Sequence, residues 1–214
     1  MDEEITIIDT KTRNEKIKNF FIKNKKNLIL ISTVLILIFF SLYAYQIYKN
    51  KHREWLANKY NSAIIEHEKG DKSKTILSMK EIVEDKNSTY SPLGLYFLID
   101  NDLIENIDQV NSLFDTVINE VTLEREIKNL IIYKKALYNS NFINENDLIQ
   151  MLNPIINSKS IWKPHALYLI AEYFYSKKEK QKATEFYNQI LEIKDGSKDI
   201  RLLAEKRISR DVSE

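Results

Sequence analysis

Cysteine is absent from this chain of 214 residues, and glycine and proline occur three times each. Without cysteine there is no disulfide, no thiolate metal site and no thiol nucleophile. So few glycines and prolines leave little material for tight β turns. The long Leu-, Ile-, Lys- and Glu-rich stretches between them read as helices, and the chain as all-α. An excess of either charge is also missing. The 32 Lys and Arg nearly balance 31 Asp and Glu, for a net charge of +1, which argues against a nucleic-acid binder with its basic footprint. The sequence also has no Gly-rich phosphate loop, no nucleophile elbow and no H-E-x-x-H helix. Its histidines, His52, His67 and His165, stand far apart with no close carboxylate pair to complete a ligand set. No catalytic residue, metal ligand or cofactor site is expected, and the chain reads as a non-enzyme.

What is present begins with NLILISTVLILIFFSLYAYQIY, residues 27–48, which carry no charge. At ~1.5 Å per residue this segment makes a helix of roughly 33 Å, enough to cross a hydrocarbon core of ~30 Å. A buried core helix would interrupt so long an apolar run, and only Ser32, Thr33 and Ser41 do so here. A signal peptide would start sooner and end in a small-residue cleavage site. This run instead follows a polar tail and ends in Tyr43, Tyr45, Gln46 and Tyr48, whose rings suit the membrane interface. The sequence therefore divides into a basic tail (1–26), a single transmembrane helix (27–48), a juxtamembrane linker (49–54) and a repeat domain (55–214). Lys11, Arg13, Lys16, Lys18, Lys23, Lys25 and Lys26 precede the span; Lys49, Lys51, Arg53 and Lys59 follow it. The richer flank belongs in the cytoplasm, which predicts a cytoplasmic N-terminus and an exported C-terminal domain. In the tail, Ile17, Phe20 and Phe21 share a helical face among lysines, either as an interfacial segment or simply as a basic flank.

Beyond the span an apolar pattern i, i+4, i+7 recurs four times: Thr75/Met79/Ile82, Val110/Phe114/Val117, Leu148/Leu152/Ile155 and Ala183/Tyr187/Ile190. Successive sets are 35, 38 and 35 residues apart. A period near 34 marks a solenoid of helical hairpins, each burying its face against its neighbours. Each set is preceded by another apolar helix, over 55–68, 93–100, 123–138 and 164–176. A capping helix is expected over 200–208. Gly70 and Asp71 read as a helix C-cap followed by an N-cap, and Asn144 as another N-cap. Pro92 and Pro164 fall at helix starts, whereas Pro154 should kink or end its helix.

The segment HALYLIAEYFYSKKEKQKATEFYNQILEIKD resembles a tetratricopeptide repeat. Its first helix supplies Leu167, Ile170, small Ala171 and Phe174; its second supplies small Ala183, Tyr187 and Ile190. It departs from the family at Lys178, where Gly is usual, and at Asp195, where a Pro usually closes the unit. The earlier units are more degenerate, with Thr75, Val110 and Leu148 in place of the small alanine. Taken whole, the basic tail, single span, four degenerate repeats and capping helix resemble the bacterial ancillary Sec-translocon subunit (YfgM-like) family. LNPIINSKSIWKPHALYLIAEY is similar to the segment leading into that family's last repeat. The resemblance implies an inner-membrane protein whose repeat domain faces the periplasm and meets translocon subunits or periplasmic chaperones.

By the repeat register, the first helices form a concave face carrying Tyr60, Ile64, Leu95, Ile99, Tyr133, Leu137, Tyr168, Glu172 and Tyr175. Such an apolar and aromatic face suits a partner helix or apolar segment better than a peptide carboxylate. The bland reading is that most of these side chains pack between helices. The leading expectation is an anchored protein-interaction scaffold for exported or partner proteins. The alternative is an envelope assembly protein that acts by self-association. An outer-membrane import receptor of an organelle fits the sequence less well.

Overall fold

A computed structural model describes the backbone of residues 2–194 and 196–212, and all regular structure among them is α-helical. The chain divides into two compact units, one ending at Trp55 and one beginning at Leu56.

The first unit lies within helix α1 (Asp2–Glu68). No glycine or proline occurs before Gly70, so nothing local interrupts the helix, and residues 49–54 are helical as well. From residue 29 to residue 48 every side chain is exposed. This is one helix long and apolar enough, by length and composition, to cross a membrane. The Thr33 hydroxyl donates back to the Ile29 carbonyl at 2.9 Å, so its polar group is satisfied inside the helix.

In the second unit the end of α1 is followed by α2 (Lys72–Glu84), α3 (Tyr90–Asp100), α4 (Ile107–Glu120), α5 (Arg125–Asn139), α6 (Glu145–Ile156), α7 (Lys163–Ser176), α8 (Lys180–Leu191) and α9 (Lys198–Val212). Gly70 stops α1 in the left-handed region (φ +87°), while the Asp71 N–H donates to the Glu66 carbonyl at 3.0 Å. Asp71, Asn106 and Asn144 then cap α2, α4 and α6, each accepting from the backbone N–H three residues on. The caps expected at Gly70, Asp71 and Asn144 are therefore formed. α6 ends two residues after Pro154, as a proline without an N–H requires.

From α2 onward each helix packs on its sequence neighbours, and α2 with α4, α5 with α7 and α7 with α9 also touch. α1 meets α2 through Ala63, whose carbonyl accepts from Thr75 Oγ1 at 3.4 Å, and through the Lys59–Glu81 and Lys74–Glu66 ion pairs. All twelve residues of the i, i+4, i+7 sets are buried, each at 2 % exposure or less. The eleven apolar ones sit in two core clusters that meet at α5, where Ile131 joins one and Ile132 and Ala136 the other. Two of the buried polar sites are satisfied within the chain. Ser91 Oγ donates to the Ile82 carbonyl at 3.0 Å, and the Asn111 and Asn139 amides pair reciprocally at 2.9 and 2.7 Å.

Gly94 marks a close helix crossing. A Cβ there would lie 3.1 Å from the Met79 carbonyl and 3.2 Å from the Ile82 side chain, so α3 rests almost backbone-to-backbone on α2. Polar contacts also recur between residues one pattern period apart. They include Lys86–Glu120, Lys134–Asp100, Ser160–Glu126, Lys182–Glu145 and Arg207–Glu172, separated by 34 to 37 residues.

Candidate functional site

The nine residues expected on one face fall into separate environments. Leu95 is fully buried in the first core cluster, where it is a packing residue that no partner reaches without moving the helices. Tyr60 and Ile64 lie half-buried at the edge of the same cluster, with the Tyr60 ring 6.2 Å from Tyr90 and 6.3 Å from Phe97. Burial raises the Tyr60 phenol above its ordinary pKa.

Ile99 and Leu137 come together. They line a recess of about 230 Å³ between α3 and α5, with Tyr96, Phe114 and Tyr138 around them. Leu137 is 48 % exposed, the most open of the nine expected positions. Lys134 closes one side, its ammonium 4.0 Å above the Tyr96 ring and 3.9 Å from Asp100. Burial, with the Asp100 charge adding to it, pushes the Tyr96 phenol up to about 12, and its buried hydroxyl has no hydrogen-bond partner. The recess is an apolar pocket with one orphaned donor and a cation–carboxylate rim, dimensioned for one side chain.

Tyr133 is engaged within the chain. It stacks on Trp162 with centroids 6.1 Å apart and meets His165 edge-on at 6.0 Å. Burial lowers the His165 pKa, and its buried Nδ1 has no hydrogen-bond partner. No local pattern announces this aromatic trio, because Tyr133 belongs to α5 and the other two to the next hairpin.

Tyr168, Glu172 and Tyr175 are drawn together by a residue outside the expected set. Arg207 of α9 donates to Glu172 through Nε at 2.8 Å and a terminal nitrogen at 2.7 Å, the two-pronged grip that suits a carboxylate. Its guanidinium also lies 4.9 Å over the Tyr175 ring. The Tyr187 hydroxyl donates to Glu172 at 2.6 Å, and its ring is 5.8 Å from Tyr168. Burial and the adjacent Glu172 raise the Tyr187 phenol, while the Glu172 hydrogen bonds raise the Arg207 guanidinium. The last part of the expected face is therefore covered by the chain's own α9. The recess at Ile99 and Leu137 is its open part.

Among the described residues no cluster of three or more His, Cys, Asp or Glu could hold a metal ion. Comparison of the chain with protein-family profiles, with curated proteins and with solved structures returns no match.

Proposed function

We propose that this protein is a membrane-anchored protein-interaction scaffold whose hairpins stack as a tetratricopeptide-like solenoid, with α9 as the cap. The observation that carries this reading is the recurrence of contacts at one-repeat offsets. From Lys86–Glu120 to Arg207–Glu172, equivalent positions of adjacent hairpins touch across 34 to 37 residues. Helices that bury their faces mainly against sequence neighbours build extended surfaces for partners. The exposed apolar run over 29–48 supports the anchor, and the excess of Lys and Arg before it supports a cytoplasmic N-terminus with the solenoid exported to the periplasm. The family resemblance adds the partners: translocon subunits, periplasmic chaperones or exported clients.

The recess between α3 and α5 is the contact point of this reading, because an apolar anchor of a partner helix fits between Ile99 and Leu137. A photo-crosslinking amino acid at Leu137, with a control at exposed Leu77 of α2, tests it in membranes. Adducts of discrete mass from Leu137 and none from Leu77 are expected. Adducts only to a second copy of the chain would replace the scaffold by the self-association reading. Adducts from Leu77 alone would put the contact on the wrong face.

A further inference from the structure

A shallow groove of about 430 Å³ runs along α1, lined by Phe21, Ile22, Lys25, Leu28, Ile29 and Ser32. These positions are mostly three or four residues apart, so their side chains are neighbours on one helix face. The groove crosses the start of the uncharged run at Asn27. Phe21, Ile22 and Lys25 precede that point, and Leu28, Ile29 and Ser32 follow it. Of the six, only Lys25 is charged.

Lys25 stands ~3 Å outside the run along the helix axis, with Lys26 at ~1.5 Å and Lys23 at ~6 Å. A headgroup layer of roughly 5–7 Å beyond the hydrocarbon core takes in all three. Each is exposed. No Asp or Glu occurs between Glu15 and Glu54. Ion pairs along a helix join residues three or four apart, so no carboxylate of α1 reaches Lys23, Lys25 or Lys26. The trailing flank differs, because Glu54 follows Arg53 directly and lies three residues from Lys51. Asn24, the polar residue beside the groove, donates its amide to the Phe20 carbonyl at 3.0 Å and so finds its acceptor inside the helix.

We propose that this groove seats an anionic phospholipid, its phosphate at Lys25 and an acyl chain against Leu28 and Ile29. Lys23 and Lys26 draw further anionic headgroups to the same depth. A zwitterionic lipid fills the apolar part equally well but brings a cation of its own to the lysines. A soluble phosphoester has nothing to offer the apolar walls. The inference rests on the anchored reading of α1 and on neither the solenoid nor its partners.

The chain has no cysteine, so Asn27→Cys carries a single fluorophore at the depth of the groove. The full chain is placed in phosphatidylcholine nanodiscs containing a nitroxide-bearing lipid, either phosphatidylglycerol or phosphatidylcholine, at matched mole fractions. Phosphatidylglycerol is expected to quench with an apparent association constant about fivefold higher or more. The preference should disappear in Lys23→Gln/Lys25→Gln/Lys26→Gln and in high salt, and persist in the corresponding triple arginine variant. Lys25→Gln alone should cost more of it than Lys23→Gln. It should survive both Lys49→Gln/Lys51→Gln/Arg53→Gln and excess glycerol 3-phosphate, and circular dichroism checks that every variant stays helical. Equal quenching by the two lipids, an equal loss from the trailing-flank variant, a larger loss from Lys23→Gln than from Lys25→Gln, or displacement by glycerol 3-phosphate would overturn the proposal and leave the anchor standing. Quenching by neither lipid would remove the anchor and the proposal together.

Discussion

Replacing Arg207 by alanine isolates what holds α9 in place. The helix has few other anchors. Ala204 is fully buried, and Ile200 and Ile208 rest against the core, but Leu202 and Leu203 are 50 % and 42 % exposed. Arg207 contributes two hydrogen bonds to Glu172, at 2.8 and 2.7 Å, between side chains that are each 28 % accessible. Charge-assisted bonds contribute more than neutral ones, but partial exposure screens them, which leaves about 1–2 kcal/mol for the pair. That corresponds to a factor of roughly 5–30 in the equilibrium for local opening. Hydrogen exchange should therefore speed up in α9 by about that factor in Arg207→Ala, with α2 to α4 unchanged. Glu172→Gln should reproduce much of the effect. Adding it to Arg207→Ala should cost little more, because the two changes remove one interaction. Unchanged exchange in α9, or additive effects of the two substitutions, would refute the assignment of α9's hold to this pair.

Gly94→Ala adds about 1 kcal/mol of helix propensity. The new Cβ would press on the Met79 carbonyl, a backbone atom that cannot rotate aside. A net loss of about 1 kcal/mol in urea unfolding is expected, and a gain would show that α2 and α3 separate freely. Lys178 holds φ +66° in the α7–α8 turn, a conformation strained for any residue with a Cβ. Lys178→Gly should raise stability by about 0.5–1 kcal/mol, and an unchanged melting temperature would count against it. His165 has a depressed pKa in the folded chain, so an unfolded chain binds its proton first on acidification. The stabilisation is present above about pH 6.5 and is lost as pH falls towards the folded value. Between pH 7.5 and pH 5 the melting temperature should fall more for the native sequence than for His165→Gln, and equal falls would contradict the burial of this ring.

The helical hairpins were legible because their information is local and periodic. Thr75, Met79 and Ile82 and their counterparts mark the buried stripe of each second helix, and every one of those side chains is inside. Gly70, Asp71 and Asn144 announced helix ends through chemistry that acts within three or four residues. The surface was much less legible. Leu95 shares a register with Ile99, yet one is core and the other borders a recess, because burial depends on what the next hairpin presents. Glu172 reads as an open polar group until Arg207, 35 residues later, folds back onto it. Nothing in the local pattern of either residue announces that pair. The same holds for Gly94, whose value lies in the α2 backbone it approaches.

The most direct measurement is protease accessibility of the second unit in a bacterial inner membrane, compared between spheroplasts and inverted vesicles. Digestion in spheroplasts alone is the predicted result, with the solenoid exported and the basic tail inside. Digestion in inverted vesicles alone would place that unit in the cytoplasm and contradict the anchored, periplasm-facing scaffold.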